Sequence, residues 1–374
     1  MLGERIAFDT DTKWAKYAVA RHPGVSFAMP NVPATLDEVL SPEWLTAALA
    51  QRFPGIEVTR VTPGPVVSRL STNARFTVEC AGGLPEGLVS TLCAKGYFTD
   101  KGRPVSFLGA REVNFYRDLA GVTGVRTLHC VYADEDADTR HNVVITEDVI
   151  ASGGVFLDAL SPYTPDQTAE SLTQYAKLHG ATWGKDRWAK AAWLDWPTAA
   201  NKGFRGVDDI RVNFDGPIGA GVPAVVNDPQ RLIDAFEAVM APGDSGAWVV
   251  LHGDAHVGNV FLDSEARPSL LDWQCVRRGH WAIDIGYHIA SALETADREK
   301  SERDLLRHYL DQLRANGVEA PGWDEAWNEY RKGIVFGLYM WAVTLLVDPE
   351  ITTTLLQRLG AAAAMHDSFG AVGV

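Results

Sequence analysis

The rhythm of apolar and polar positions changes near residue 150. Before it, short alternating runs dominate: residues 56–61, Ser71–Cys80, Leu88–Lys95, Val125–Tyr132 and Asn142–Glu147 each read as a strand. Pro63-Gly64-Pro65 and Gly82–Gly87 read as turns between them. One helix is predicted within this region, over Ala110–Leu119. Another opens at Ser41-Pro42, with serine as N-cap and proline in the first turn, and runs to about Arg52. Thr35 and Glu38 have capping-box spacing. After residue 150 the longer period takes over. Helices are predicted over Pro165–Gly184, Pro229–Met240, Gly279–Leu293, Ala296–Asn316, Trp323–Leu346 and Thr352–Met365. Two short apolar runs, Trp248–Leu251 and Ser269–Leu271, interrupt them. The pattern predicts an α+β chain with a β-rich part over 1–149 and a mostly helical part over 150–374. Residues 1–34 read as an extended arm or short helices. Residues 201–228, rich in Gly and Pro, read as an irregular stretch that could act as a lid on the substrate side.

The chain has 374 residues, of which 46% are hydrophobic and 22% charged, enough for a sizeable core. Its net charge is −14 and no run of Lys or Arg forms a basic patch, which argues against a nucleic-acid partner. Cys80, Cys93, Cys130 and Cys275 show no C-x-x-C spacing, so a disulfide framework or zinc ribbon is not expected. Cys275 reads as a packed thiol sooner than a cleft-lining one. The N-terminus is too polar for a signal peptide. The longest apolar run, Gly333–Val347, is too short to span a bilayer. A soluble cytoplasmic protein with no membrane partner is expected; nothing in the sequence bears on oligomeric state.

The chemistry concentrates in Val249–Gln274, VVLHGDAHVGNVFLDSEARPSLLDWQ. Polar side chains just past apolar runs stand at the edge of a core and face a cleft. His252 precedes Asp254 by two positions, Asn259 follows it by five, and Asp272 comes after a hairpin-like return. Protein kinases use the spacing H-R-D-x-x-x-x-N and a later Asp for one purpose. One carboxylate orients or deprotonates a hydroxyl, while an amide oxygen and a second carboxylate hold Mg²⁺. His256 reads as a structural histidine. Taken alone, the H-x-D-x-H cluster would equally suit a zinc or dinuclear hydrolase, and that alternative stays open here.

The stretch resembles the aminoglycoside phosphotransferase and choline kinase group, small-molecule kinases with the protein-kinase-like two-lobed fold. HGDAHVGN stands where that group carries H-G-D-x-H-x-x-N, and LDWQ where it carries its metal segment. REVNFYRDL resembles the group's R-E-x-x-F-Y helix, and LTQYAKLHGATWG resembles a helix of the ecdysteroid-kinase-like branch. The resemblance covers roughly residues 50–345. It implies ATP and Mg²⁺ as cofactors and a small-molecule hydroxyl as acceptor, with Asp254 as the catalytic residue and Asn259 and Asp272 as metal ligands. It implies that Lys95, held by Glu112, clamps the phosphates. Residues 147–149 stand where the linker between lobes binds adenine through its main chain, chiefly Glu147 and Val149. Gly64 is the only glycine between Arg60 and Ala81, so the loop over the phosphates departs from a Gly-rich pattern. Ser68, Ser71, Thr72 and Asn73 are the candidate donors there, against an ordinary hairpin. Asp284 is expected to hydrogen-bond the catalytic loop, and His179 to be structural. Trp183, Trp188, Trp193 and Trp196 would line an apolar pocket or, more simply, pack a core. A nucleotide-binding protein without transfer activity is the remaining alternative.

Overall fold

A computed structural model describes residues 31–196, 205–241 and 248–374. Most of the arm expected at the N-terminus therefore lies outside the described residues, as do residues 201–204 of the expected lid. The first half of the chain builds one antiparallel sheet from β1 (Val58–Ser68), β2 (Thr72–Cys80), β3 (Thr91–Gly96), β4 (Cys130–Glu135) and β5 (Asn142–Glu147), in the order β1-β2-β3-β5-β4. One face is apolar. Phe76, Val78, Leu92, Ala94, Val143 and Ile145 pack there with Val39, Leu45 and Leu49 from two short helices, α1 (Leu36–Val39) and α2 (Pro42–Leu49). Both helices start where expected. Thr35 and Glu38 exchange the two hydrogen bonds of a capping box, and Ser41 accepts from the Trp44 N–H.

The turn expected at Pro63-Gly64-Pro65 lies elsewhere. β1 runs through that triplet with a break in register between Pro63 and Val66, and the chain reverses at residues 69–71. β1 is an edge strand, so the missing proline N–H interrupts no internal ladder.

α3 (Phe107–Asn114) crosses the other face of the sheet. It continues through a wide π turn over Phe115–Leu119 and a last turn over Ala120–Thr123. Phe115 and Leu119 belong to the core of the large lobe, so this one helix is rooted in both halves.

β6 (Val155–Phe156) follows the turn at residues 148–154, and we propose the division between lobes within that turn, at 149/150. The large lobe is built from α4 (Pro165–Thr182), α5 (Val207–Phe214), α6 (Pro229–Met240), α7 (Ala282–Ala292), α8 (Thr295–Ala315), α9 (Trp323–Ala342) and α10 (Pro349–Met365). Two small sheets carry the functional loops: β7 (Trp248–Leu251) pairs with β10 (Arg277–His280), and β8 (Val260–Leu262) lies between β6 and β9 (Pro268–Leu270). The stretch expected to be irregular contains α5. Ile210, Phe214, Val222 and Val226 are buried in the core, so 207–226 is a packed segment of the large lobe and not an irregular one. The Gly and Pro residues there connect packed pieces. No helix among the described residues is long and apolar enough to cross a membrane.

α7 and α9 cross at glycines. A Cβ on Gly333 would lie 1.9 Å from the Ala282 carbonyl oxygen, and one on Gly286 would lie 2.6 Å from the Gly333 carbonyl carbon. The contact is backbone against backbone. Gly333→Ala is expected to lower stability by about 1–3 kcal/mol through overpacking, read as a shift in the urea midpoint. A midpoint equal to wild type would contradict this crossing.

Candidate active site

β7 delivers the chain into the loop 252–259, and the loop is held from below. Asp284, fully buried on α7, accepts from the His252 N–H at 2.7 Å and the Gly253 N–H at 3.0 Å. His179 on α4 stands 3.1 Å from the same carboxylate, with the Tyr309 hydroxyl 2.7 Å from its other ring nitrogen. Asp284 and His179 thus take the supporting places expected of them. Gly253 has φ +80°, and a Cβ there would meet the Cys275 carbonyl oxygen at 2.2 Å, so the loop requires glycine. His288 is fully buried and points its Nδ1 at the Ala255 carbonyl, 2.9 Å away; burial lowers its pKa to about 4. It is therefore neutral and donates to that carbonyl.

The loop brings Asp254 and Asn259 together. The Asn259 side-chain N–H₂ donates to the Asp254 main-chain oxygen at 2.8 Å and to its carboxylate at 3.0 Å. That double donation fixes the amide orientation and turns the amide oxygen away from the carboxylate. The Asn259 carbonyl accepts from the Leu271 N–H at 3.0 Å, which places Asp272 one residue farther along. Asp272 has φ +64°, a left-handed conformation that aspartate tolerates better than most residues. Its carboxylate accepts from Lys95 Nζ at 2.7 Å. Lys95 in turn lies 2.6 Å from Glu112 on α3. One ammonium thus joins a strand and a helix of the small lobe to the chain after β9. Trp273 anchors the same junction: its ring stacks on Phe115 at 3.6 Å and its indole N–H donates to Thr127 at 2.8 Å.

The electrostatics follow from burial and partners. Burial opposes the charge on Lys95, but Asp272 and Glu112 outweigh it and hold the ammonium protonated. Burial pushes the Glu112 carboxyl up, and Lys95 pulls it back. Burial would also raise Asp254. His256, His252 and Asn259 overcome it and keep this carboxyl below the usual carboxylate range. The Cys275 thiol is driven well up by burial, with the Asp254 and Asp272 charges adding to it, which fits a packed thiol.

The other sequence candidates are placed as follows. Asn73 sits directly across from Lys95 in the β2–β3 register, on the same sheet face. Ser71 lies in the turn at the hairpin tip, and Ser68 and Thr72 are joined by a 3.1 Å hydrogen bond beside it. Glu147 ends β5, three positions beyond the partner of Lys95, or about 10 Å along the strand. Its carboxylate is 2.6 Å from His129 Nδ1. The Val149 carbonyl is already engaged, accepting from the Gly154 N–H and the Ser152 hydroxyl. Of the four tryptophans, Trp188 is core, Trp183 and Trp193 pack against it, and Trp196 lies 4.6 Å from Arg111 and 5.2 Å from Arg277. They pack against the core and bridge two arginines, as the simpler reading expects.

Sequence reasoning missed three residues beside the loop. Arg111, next to Glu112, donates to the carbonyls of Trp193 and Val276 at 2.8 and 2.9 Å and to that of Asp195, which ties α3 to the large lobe. Tyr287 on α7 donates to the free side of the Asp254 carboxylate at 3.2 Å, and Trp341 on α9 donates to the Tyr287 oxygen at 2.6 Å. For Arg111 the R-E pair offered a hint. For the other two the 3.6-residue pattern marked only core positions.

Residues 159–326 match the family described as phosphotransferase enzyme family. That segment is somewhat under half of the chain and contains Asp254, Asn259 and Asp272. No curated protein matches the chain. Among solved structures, a protein of Ralstonia eutropha provisionally named an aminoglycoside phosphotransferase is 18% identical, with 87% of this chain and 98% of that one covered at a TM-score of 0.51. It shows the kinase-like, two-lobed α+β fold. The choline kinase of Streptococcus pneumoniae is 14% identical over 83% of this chain and 94% of its own, with a TM-score of 0.47. The macrolide 2'-phosphotransferase of Brachybacterium faecium is 18% identical over 88% and 97%, with a TM-score of 0.43.

Removing the ammonium exposes the cost of this junction. Lys95→Met is expected to destabilise the fold by about 3–5 kcal/mol near neutral pH, because two carboxylates lose their shared cation. The loss should shrink toward pH 5, where Glu112, whose carboxyl is already raised, takes up a proton. Urea titrations at the two pH values check this, and equal losses at both would contradict it.

Proposed function

We propose that this protein transfers the terminal phosphoryl group of ATP to a hydroxyl of a small molecule. The observation that supports the reading is the pairing of Asp254 with Asn259 in one loop, whose Asn259 carbonyl accepts from the Leu271 N–H, next to Asp272 and the Lys95 that it shares with Glu112. Asp254, kept ionised by its neighbours, orients the acceptor hydroxyl and accepts its proton as the new O–P bond forms. The bond from the terminal phosphorus to its bridging oxygen breaks, and ADP leaves with that electron pair. Lys95 supplies positive charge to the phosphates, and Glu112 fixes where that charge sits. Ser71 and Asn73 stand over the phosphate side, and the main chain at Glu147 and Val149 would meet the base, with Val149 contributing its N–H.

The donor set also suits Mg²⁺. The Asn259 amide oxygen and the Asp272 carboxylate are the hard oxygen ligands that this cation prefers. When bound there it would neutralise charge building on the transferred phosphoryl group. A hydrolase built on His252 and His256 is disfavoured. Both ring nitrogens of His252 are engaged, one with the Leu271 carbonyl and one with the Asp254 N–H, so a metal ligated by His252 would displace a hydrogen bond that holds the loop. The helix Pro165–Thr182, with its LTQYAKLHGAT sequence, supports placement near the ecdysteroid-kinase-like branch. Sterol-like alcohols, amino alcohols and aminoglycosides are the acceptor classes to test.

The test is transfer of labelled phosphate from ATP, with Mg²⁺, to a panel of such alcohols. Asp254→Ala should still bind ATP by calorimetry while transfer falls by about 10²–10⁴. Full activity in that variant would refute the assignment. ATP binding without turnover on any acceptor would favour a nucleotide-binding protein.

A further inference from the structure

Three donors surround the Asp254 carboxylate, and one of them, Tyr287, comes from a helix remote in sequence and is itself held by a donor on a second such helix, Trp341. On one side, the Asn259 N–H₂ donates at 3.0 Å and His256 Nε2 stands 3.5 Å away. The Gly258 N–H donates to His256 Nδ1, so the ring proton sits on Nε2 and faces the carboxylate. On the other side is the Tyr287 hydroxyl at 3.2 Å. An indole N–H donates and never accepts, so Trp341, 2.6 Å away, occupies the Tyr287 oxygen as a donor. The tyrosine proton is then left for Asp254. Tyr287 is 1% exposed and Trp341 5%, so the bond between these two is shielded from water. The Trp341 ring also stands edge-on to His256 with centroids 5.1 Å apart, which braces the far side of the same carboxylate.

We propose that Tyr287 and Trp341 are positioning residues that lock the rotation of the Asp254 carboxylate, so that one fixed edge is presented to the acceptor. The proposal rests on the phosphotransfer reading for its catalytic meaning, while the hydrogen-bond chain itself does not. Two carboxylate oxygens held from opposite sides cannot turn about the side-chain bond without breaking one set. The glycine crossing of α7 and α9 sets the distance between Tyr287 and Trp341, which ties the aim of Asp254 to how closely two helices approach.

Release of inorganic phosphate from ATP and Mg²⁺ alone, with water as acceptor, tests the catalytic consequence without a known substrate. Tyr287→Phe should lower kcat about tenfold, the value of one lost hydrogen bond, with the KM for ATP unchanged. Trp341→Phe should do the same more weakly. The decisive comparison is the pair of Tyr287→Phe with Asp254→Asn. If Tyr287 acts through Asp254, the double variant is no slower than Asp254→Asn. Losses that multiply, or unchanged kcat in Tyr287→Phe, would overturn the proposal. A readout free of activity is the indole ¹H–¹⁵N resonance of Trp341, assigned by its loss in Trp341→Phe. It should move in Tyr287→Phe and also in Asp254→Asn, because hydrogen bonds in a chain polarise one another. A resonance indifferent to Asp254→Asn would overturn the chain. Wild-type protein that releases no phosphate would instead count against phosphotransfer, and the resonance would then decide the brace alone.

Discussion

One buried ammonium holds the working parts of this protein together. Lys95 lies on a strand, Glu112 on a helix and Asp272 on the return from a hairpin, and a single cation sits between the two carboxylates where these meet. A buried cation without partners is costly, and so are two buried carboxylates facing one another. The three charges therefore specify one arrangement of the lobes. The apolar contacts then agree with it: Phe115 stacks on Trp273, and Arg111 fastens the same helix to the carbonyls of Trp193 and Val276.

The loop 252–259 shows the same logic on a smaller scale. Asp284 and His288 satisfy main-chain groups that would otherwise be buried without partners, so the loop has little freedom. Asp254 remains charged because its neighbours donate to it. Rigidity comes from Asp284 and His288 beneath the loop and ionisation from His256, His252 and Asn259 within it, an arrangement in which the charge is held in place before any ligand arrives.

The elements that were legible in the sequence are those fixed by local pattern. Asn142–Glu147 and Pro229–Met240 occupy the predicted ranges because period, caps and turn residues agree there. The spacing of Asp254 and Asn259 is local too, since a five-residue loop brings the two together. Pro63-Gly64-Pro65 misled because edge position in a sheet is a tertiary fact, and edge strands accept proline. Residues 201–228 misled because Gly and Pro density hid α5, which is stabilised by burying Ile210 and Phe214. Tyr287 and Trp341 were invisible for the opposite reason. On their own helices they look like ordinary core aromatics, and only the crossing of α7 and α9 brings the Trp341 N–H to the Tyr287 hydroxyl, which in turn reaches Asp254.

The hairpin between β8 and β9 has a consequence for relatives of this chain. The Asn259 carbonyl accepts from the N–H of Leu271, the residue before Asp272, at the base of that hairpin, while Asp263, Glu265 and Arg267 form its outward tip. Residues could be inserted or deleted at the tip without moving either functional side chain. The thirteen-residue interval between them is therefore an accident of loop length. A motif that demands this interval would overlook proteins with the same apparatus and a longer or shorter tip.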